Sequence, residues 1–334
     1  MITALLLACT CRDDPAVADV VGADTDVPED TVTTPLPEPE THSGDTGTTH
    51  ETDTAAELTW VSADIGYNLA CGLVSDGTVR CWGTAECEAV TPRPDETFTA
   101  ISVGGEAGCG LRPDGTVRCW CCDEVNTGDI CLEAPPGSFD RVLVGNHDAC
   151  AQDSAGILTC WGGQPFDREG EQPVGPVIDF QVESTYAAAL LPDGTVQAWG
   201  YDVLWQEEPP AGVAFTDLGL GRGHACGLDA SGAAWCWGQD FFGRPFPDPP
   251  PGPWSAIEVY NQTTCVFDSG GLPTCFWSVD VALWEEWESQ MIAVQPLVQI
   301  GLGEWNGCGV DAVGQAWCWG GDPAVEPCLR VPQL

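Results

Sequence analysis

The sequence predicts an all-β chain: a closed ring of seven small antiparallel sheets, preceded by a disordered acidic tether. A cysteine-flanked hairpin motif recurs seven times in register, and alternating apolar residues lead into nearly every copy. Such periodicity is the mark of a repeat architecture. Composition supplies a third observation. Nineteen cysteines are a hazard in a reducing cytosol and staples in an oxidising compartment, so the chain reads as exported.

The template is Cys71-Gly-Leu-Val-Ser-Asp-Gly77-Thr-Val-Arg-Cys81-Trp82-Gly83. It recurs at Cys109–Cys119–Trp120, Cys150–Cys160–Trp161, Cys226–Cys236–Trp237 and Cys308–Cys318–Trp319, with a degenerate copy at Cys265–Cys275–Phe276. In the remaining copy Ala188 and Ala198 replace both cysteines while Trp199 is kept. The anchors 71, 109, 150, 188, 226, 265 and 308 are separated by 38, 41, 38, 38, 39 and 43 residues. Eleven residues before each anchor stands an apolar side chain: Trp60, Phe98, Phe139, Val177, Phe215, Trp254 and Leu297. Aliphatic residues follow at alternate positions, as in Ile101 and Val103, which describes a strand with one buried face.

The spacing also fixes the hairpin. Glycine stands six residues after every anchor, from Gly77 to Gly314. A three-residue loop closed by a left-handed glycine is a common hairpin connection. With Ser75-Asp76-Gly77 as that loop, Leu73 opposes Val79 and Cys71 opposes Cys81, close enough for a cross-strand disulfide. The fourth copy has lost both cysteines together, which supports the pairing. Six disulfides are therefore predicted: Cys71–Cys81, Cys109–Cys119, Cys150–Cys160, Cys226–Cys236, Cys265–Cys275 and Cys308–Cys318. Zinc is the poorer reading, because each hairpin offers two ligands and no histidine recurs beside them. The cystine and Leu73 share one face of the hairpin and Trp82 takes the other. Both faces are apolar, as sheets packed between neighbours require, and a ring of such units buries all of them.

The pattern G-x-x-x-x-C-G-L-x-x-D-G-x-V-x-C-W-G is similar to the RCC1 (regulator of chromosome condensation) repeat. Gly221-Arg-Gly-His224-Ala-Cys226-Gly-Leu and Trp237-Gly238 match it best, and the resemblance covers residues 58–334. It implies a seven-bladed β-propeller. It also implies a structural hydrogen bond for the loop histidines His147 and His224. The cysteines depart from the nuclear members and look like a bacterial exported variant. Nucleotide exchange, the activity of the family's namesake, does not transfer on fold alone.

Residues 1–9 resemble the end of a bacterial lipoprotein signal, with Leu6-Leu7-Ala8-Cys9 as the lipobox and Cys9 as the lipidated residue. The alternative is an unprocessed apolar end. Thr10 after the cysteine implies the outer membrane or cell surface, with a periplasmic or secreted location as the alternative. Residues 12–57 hold thirteen acidic residues against one arginine. Such a segment self-repels and buries little, so it is expected to be a disordered tether. His42 and His50, within it, read as solvated.

Over the whole chain 51 acidic residues oppose 10 basic ones, all arginine, for a net charge of −41. That field repels nucleic acid and anionic membranes, and no apolar run is long enough to span a bilayer. Membrane contact is expected only through the lipid. A saline habitat is a second explanation of the acidity. No catalytic fingerprint, metal motif or cofactor motif occurs, and the Asp-Gly pairs read as turns. An enzyme is the least favoured reading.

Aromatics outside the repeat frame suggest where a partner binds. Trp305 precedes an anchor; Trp205, Phe241, Phe242, Trp284 and Trp287 follow a Trp-Gly or its counterpart. If each sheet runs up, down, up, down, all six emerge at one end of the ring, beside Glu207, Glu208, Glu285, Glu286 and Glu288. They are the candidate binding face, unless they pack under their own loops. A protein ligand is expected, with a glycan stacking on the tryptophans as the alternative and a monomeric ring as the state. Cys11, Cys87, Cys121, Cys122, Cys131 and Cys328 fall outside the hairpins. Cys122–Cys131 reads as a loop clip and Cys87–Cys328 as a staple across the ring closure, with a zinc loop at Cys119-Trp-Cys-Cys122 as the alternative.

Overall fold

The computed structural model describes residues 58–66, 69–83, 92–105, 107–121, 134–162, 172–183, 186–200, 209–239, 247–261, 263–277, 297–303 and 306–320. Every regular element among them is a strand, and the strands form seven antiparallel sheets of three, each built from consecutive strands. Blade 1 is β1 (Trp60–Ile65), β2 (Leu69–Val74) and β3 (Val79–Gly83). Blade 2 is β4 (Ala100–Gly104), β5 (Ala107–Leu111) and β6 (Val117–Cys121); blade 3 is β7 (Arg141–Val144), β8 (Asp148–Gln152) and β9 (Leu158–Gly162). Blade 4 is β10 (Asp179–Val182), β11 (Tyr186–Leu190) and β12 (Val196–Gly200); blade 5 is β13 (Phe215–Leu220), β14 (His224–Asp229) and β15 (Ala234–Gly238). Blade 6 is β16 (Ala256–Tyr260), β17 (Thr263–Phe267) and β18 (Pro273–Trp277); blade 7 is β19 (Leu297–Leu302), β20 (Asn306–Asp311) and β21 (Ala316–Gly320). The expected up-down-up-down blade thus shows three strands among the described residues.

The hairpin register is the one the spacing predicts. Leu73 pairs with Val79 and Cys71 with Cys81. The Gly77 amide donates to the Val74 carbonyl and the Val74 amide to that of Thr78, each at 2.8 Å. Gly77 takes φ 86°, the left-handed conformation that closes the three-residue loop. All six predicted cystines are present, with Cα separations of 4.0–4.1 Å. In blade 4 Ala188 pairs with Ala198 at the same place.

Each hairpin tip is capped by an aspartate, in one of two ways. In blades 1, 2 and 4 the aspartate before the glycine accepts from the amide and hydroxyl of the threonine two residues on: Asp76 from Thr78, Asp114 from Thr116, Asp193 from Thr195. In blades 3, 5, 6 and 7 the aspartate lies two residues earlier. Asp153, Asp229, Asp268 and Asp311 each accept two amides of the loop. These are Asx turns, a local alternative to ladder bonding.

Seven apolar clusters, one per seam, hold the ring together. In the seam between blades 1 and 2, the cystine face (Leu69, Cys71, Leu73, Val79, Cys81) packs on Phe98, Val103 and Trp120. A similar arrangement repeats around the ring, with Ala188 in place of the cystine in the seam between blades 4 and 5, Phe276 in place of the tryptophan between blades 5 and 6, and Leu297, Ile300 and Leu302 facing the cystine between blades 6 and 7. It closes where Cys308, Val310 and Ala316 of blade 7 meet Trp60, Ala63, Ile65 and Trp82 of blade 1. Among the described residues the ring closes by contacts between blades 7 and 1, since β1 pairs with β2 in its own sheet. Within a blade, Trp60 and Trp82 stand edge to face at 5.7 Å, as do Phe98 and Trp120. The anchor's next residue must be glycine there: a Cβ on Gly72 would lie 2.3 Å from the Trp60 ring.

Candidate functional site

The first strands of neighbouring blades touch one another around the ring, as β1 does β4 and β19, so they line its axis. On this innermost strand the residues eight and six before each anchor are mostly apolar and enter the seams. The residues nine and seven before it are polar in most blades, and they reach across to the next blade. Gln299 Oε1 accepts the Ala63 amide at 2.9 Å, from blade 7 to blade 1. Asp64 Oδ2 accepts the Val103 amide at 2.8 Å, from blade 1 to blade 2. The Ser102 hydroxyl bonds the Asp64 carboxylate and accepts the Val144 amide at 3.1 Å, linking blades 2 and 3. Arg141 of blade 3 makes an ion pair with Asp179 of blade 4 and lies 4.9 Å above the Phe180 ring. Asp217 Oδ2 accepts the Ile257 amide at 3.1 Å, from blade 5 to blade 6. The outward edge of the innermost strand has no sheet partner among the described residues, and the Gln299, Asp64, Ser102 and Asp217 side chains each satisfy one of its amides.

Two further polar links cross seams deeper in the blades. The Tyr186 hydroxyl donates to the Gly221 carbonyl, and accepts the Gly223 amide at 3.4 Å. His224 Nε2 lies 3.0 Å from Thr264 Oγ1.

Four carboxylates of the innermost strands, Asp64, Asp179, Asp217 and Glu258, share this region with one guanidinium, Arg141, which is paired with Asp179. Loss of bulk water raises Asp64 to about 6, against the amide and hydroxyl bonds it accepts. The same effect, with Asp179 next in size, raises Asp217 to about 6. Glu258 is open to solvent. Removal from bulk water first, then Asp217, Asp64 and Asp179, push it up to about 8. Water along the axis screens part of this repulsion. Among the described residues no group of three or more His, Cys, Asp or Glu side chains is arranged to hold a metal ion.

The sequence-predicted binding face is not brought together by the described residues. Trp205, Phe241, Phe242, Trp284, Trp287 and Trp305 all lie outside them, as do Cys9, Cys11, Cys87, Cys122, Cys131 and Cys328. Cys121 is disulfide-bonded. The two histidines separate. His224 begins strand β14, is fully buried and makes the expected bond. His147 stands one place too early for that position, which Asp148 fills, and is exposed with no hydrogen bond to any described residue. Two tryptophans of the hairpins face solvent rather than the core. Trp235 and Trp317 are 40% and 37% exposed, and each donates its indole N–H to a hairpin aspartate, Asp229 at 2.9 Å and Asp311 at 3.1 Å. The axial charges escaped the sequence reading altogether. The available signal was a charged residue within an otherwise apolar first strand.

Residues 215–244, a span that contains all of blade 5, match the family model of the regulator of chromosome condensation (RCC1) repeat. This propeller is RCC1-like. Solved structures agree on the fold. The ectodomain of the Physcomitrella patens receptor kinase CR4 superposes with a TM-score of 0.62 at 21% identity, over 79% of this chain and 74% of that one. The CRINKLY WD40 ectodomain of the Arabidopsis thaliana receptor kinase ACR4 gives 0.62 at 20%, over 83% and 100%. Prp20p of Saccharomyces cerevisiae, described with its binding to Gsp1p and histones, gives 0.52 at 13%, over 65% and 72%. No curated protein matches the chain by sequence.

Proposed function

We propose that the chain is an exported RCC1-like propeller that binds another protein and carries out no catalysis itself. The observation that carries this reading is the place of the six cystines: each lies inside a seam, in the apolar contact that holds one blade to the next. Staples at such positions suit a protein that matures in an oxidising compartment. The likeness to two receptor ectodomains accords with an extracellular setting, and the partners of Prp20p accord with a protein ligand. In this reading Cys9 carries a lipid, residues 12–57 are the tether, and Trp205, Phe241, Phe242, Trp284, Trp287 and Trp305 form the contact face.

The test is chemical cross-linking in the native cell envelope followed by peptide mass spectrometry, on wild type and a Trp284→Ala/Trp287→Ala variant. Cross-links from the loops after the Trp-Gly positions to one exported protein, lost in the variant, are the expected result. A diacylglyceryl group on Cys9 is expected in the same digest. Quenching of tryptophan fluorescence by an oligosaccharide, without a protein cross-link, would replace the protein ligand by a glycan. Free thiols at the hairpin cysteines would overturn the assignment to an oxidising compartment.

A further inference from the structure

We propose that the Cys226–Cys236 staple is a thiol-exchange site: a small thiolate attacks the open sulfur of Cys236, and Cys226 leaves as a thiolate held by the Thr264 hydroxyl. The geometry is a cluster of three side chains across the seam between blades 5 and 6. His224 and Cys226, two residues apart on β14, face Thr264 of β17, and all three are fully buried. Thr264 Oγ1 lies 3.5 Å from Cys226 Sγ and 3.0 Å from His224 Nε2. A sulfur within a disulfide carries no proton, so the hydroxyl is the donor in the first contact. Its single proton is then spent, and His224 donates from Nε2 in the second. Burial keeps the imidazole uncharged, pushing it down to about 3, so this Nε2–H form is a neutral tautomer.

Exchange here begins at a sulfur that solvent reaches and ends at one that it does not. Cys236, paired with Cys226 across the hairpin, is partly open. The incoming thiolate bonds to Cys236 Sγ, the bond between the two cysteines breaks, and its electron pair stays on Cys226 Sγ. The products are a mixed disulfide at Cys236 and a thiolate at Cys226. The reverse step expels the small thiol and restores the staple. A bare thiolate in an apolar seam is costly, and a sulfur leaves faster when its thiolate is stabilised. Two other staples share the access but lack the donor. Cys160 and Cys318 are also partly open. Their buried partners Cys150 and Cys308 share their clusters with Ala187 and Ala70, which stand where Thr264 does, one residue before the anchor. In the remaining blades that residue is Gly108, Ala149, Ala225 or Gly307. The hydroxyl at this position belongs to the seam after blade 5 alone.

The experiment follows each staple of the folded full chain during reduction by an uncharged water-soluble phosphine, with acid quench, alkylation and peptide mass spectrometry. Phosphorus takes the place of the thiolate and ends as phosphine oxide, its oxygen drawn from water, while both sulfurs become thiols. Cys226–Cys236 should open about tenfold faster than Cys150–Cys160 and Cys308–Cys318. Thr264→Val keeps the volume and removes the donor. It should slow this staple about tenfold, and Thr264→Ser should keep the wild-type rate. A loosened seam would instead speed reduction, so an equal or faster rate in Thr264→Val would overturn the proposal. Two further arms use wild type alone. Incubation with mercaptoethanol should place the added thiol on Cys236; its appearance on Cys226 would reverse the order of attack and overturn the assignment. Nitrogen resonances of His224 should show the ring proton on Nε2. A proton on Nδ1 would turn the hydroxyl away from sulfur and remove the role given to Thr264.

Discussion

The amide of Phe98 in blade 2 donates to the carbonyl of Gly77 in the hairpin of blade 1, at 2.7 Å. The same bond recurs from Phe139 to Gly115, Val177 to Gly156, Phe215 to Gly194 and Trp254 to Gly232, and from Trp60 back to Gly314 across the ring closure. One glycine thus serves two blades. Its left-handed backbone closes its own hairpin, and its missing Cβ lets the next blade's entry strand lie against it.

Replacing such a glycine should therefore cost more than backbone strain alone. Gly232 has φ 77°, and a Cβ there would meet the Trp254 carbonyl oxygen at 2.6 Å and its nitrogen at 2.9 Å. Gly212 has a similar φ of 80° with nothing within 4 Å. Gly212→Ala should cost about 1 kcal/mol, the left-handed penalty. Gly232→Ala should cost roughly 3 kcal/mol, because the backbone it strikes cannot rotate aside. Equal losses in urea unfolding would mean that the seam contact adds nothing.

Blade 4 alone lacks the hairpin staple, and polar contacts cross its seams: Arg141 to Asp179, Gln152 Nε2 to the Val177 carbonyl at 2.8 Å, and Tyr186 to Gly221. Ala188 and Ala198 are paired as Cys71 and Cys81 are. A double Ala188→Cys/Ala198→Cys variant should oxidise spontaneously and gain at most ~3 kcal/mol from the shortened unfolded chain. Non-reducing peptide mapping reports the bond and thermal unfolding the gain. Two free thiols in the folded variant would show that blade 4 departs from the common hairpin.

What the sequence made legible was whatever repeats. The hairpin register, the six cystines and the alternation of the first strand each recur at a fixed offset from the anchor, so chance is excluded by repetition. The axis does not repeat. Its positions hold Gln299, Asp64, Ser102, Arg141 and Asp217 in different blades, at two different offsets; Arg141 pairs with a side chain of the following blade and the others accept one of its backbone amides. A relationship between different residues in successive repeats leaves no consensus to read. His147 misleads for a related reason: it lies one residue from the buried position that His224 occupies, and a shift of one residue in a strand reverses the face.

The cystines should not reduce together. Cys81, Cys119 and Cys275 are buried, whereas Cys160, Cys236 and Cys318 are partly open to solvent. A thiolate or phosphine must reach a sulfur along the bond axis, so accessibility governs the rate while the ring stays folded. Under mild reductant without denaturant, Cys150–Cys160, Cys226–Cys236 and Cys308–Cys318 should be alkylated first. The bridges of blades 1, 2 and 6 should open only on unfolding. Differential alkylation with mass spectrometry gives the order, and loss of all six in one phase would show that reduction requires opening of the whole ring.

His224 should impose a pH dependence of opposite sign to that of Asp64 and Asp217, whose folded values are raised. Burial holds its imidazole far below the ordinary value of 6.5, at about 3, so the ring is neutral when folded. A histidine with a depressed folded value contributes stability that is complete above about 6.5 and lost as pH falls towards 3. Between pH 6 and 4 this loss opposes the gain from protonation at Asp64 and Asp217, so the wild-type profile there is a difference of two terms. His224→Gln separates them. It gives up the contact with Thr264 and should be less stable at pH 7 by about 1–3 kcal/mol. Below pH 6 it should lose less stability than wild type, because it has no imidazole to force into charge. The ring-proton resonance of His224 should also stay fixed from pH 8 to 4.5 in the folded protein. A resonance that moves near pH 6.5 would mean that water reaches the seam between blades 5 and 6, and that the bond to Thr264 opens in solution.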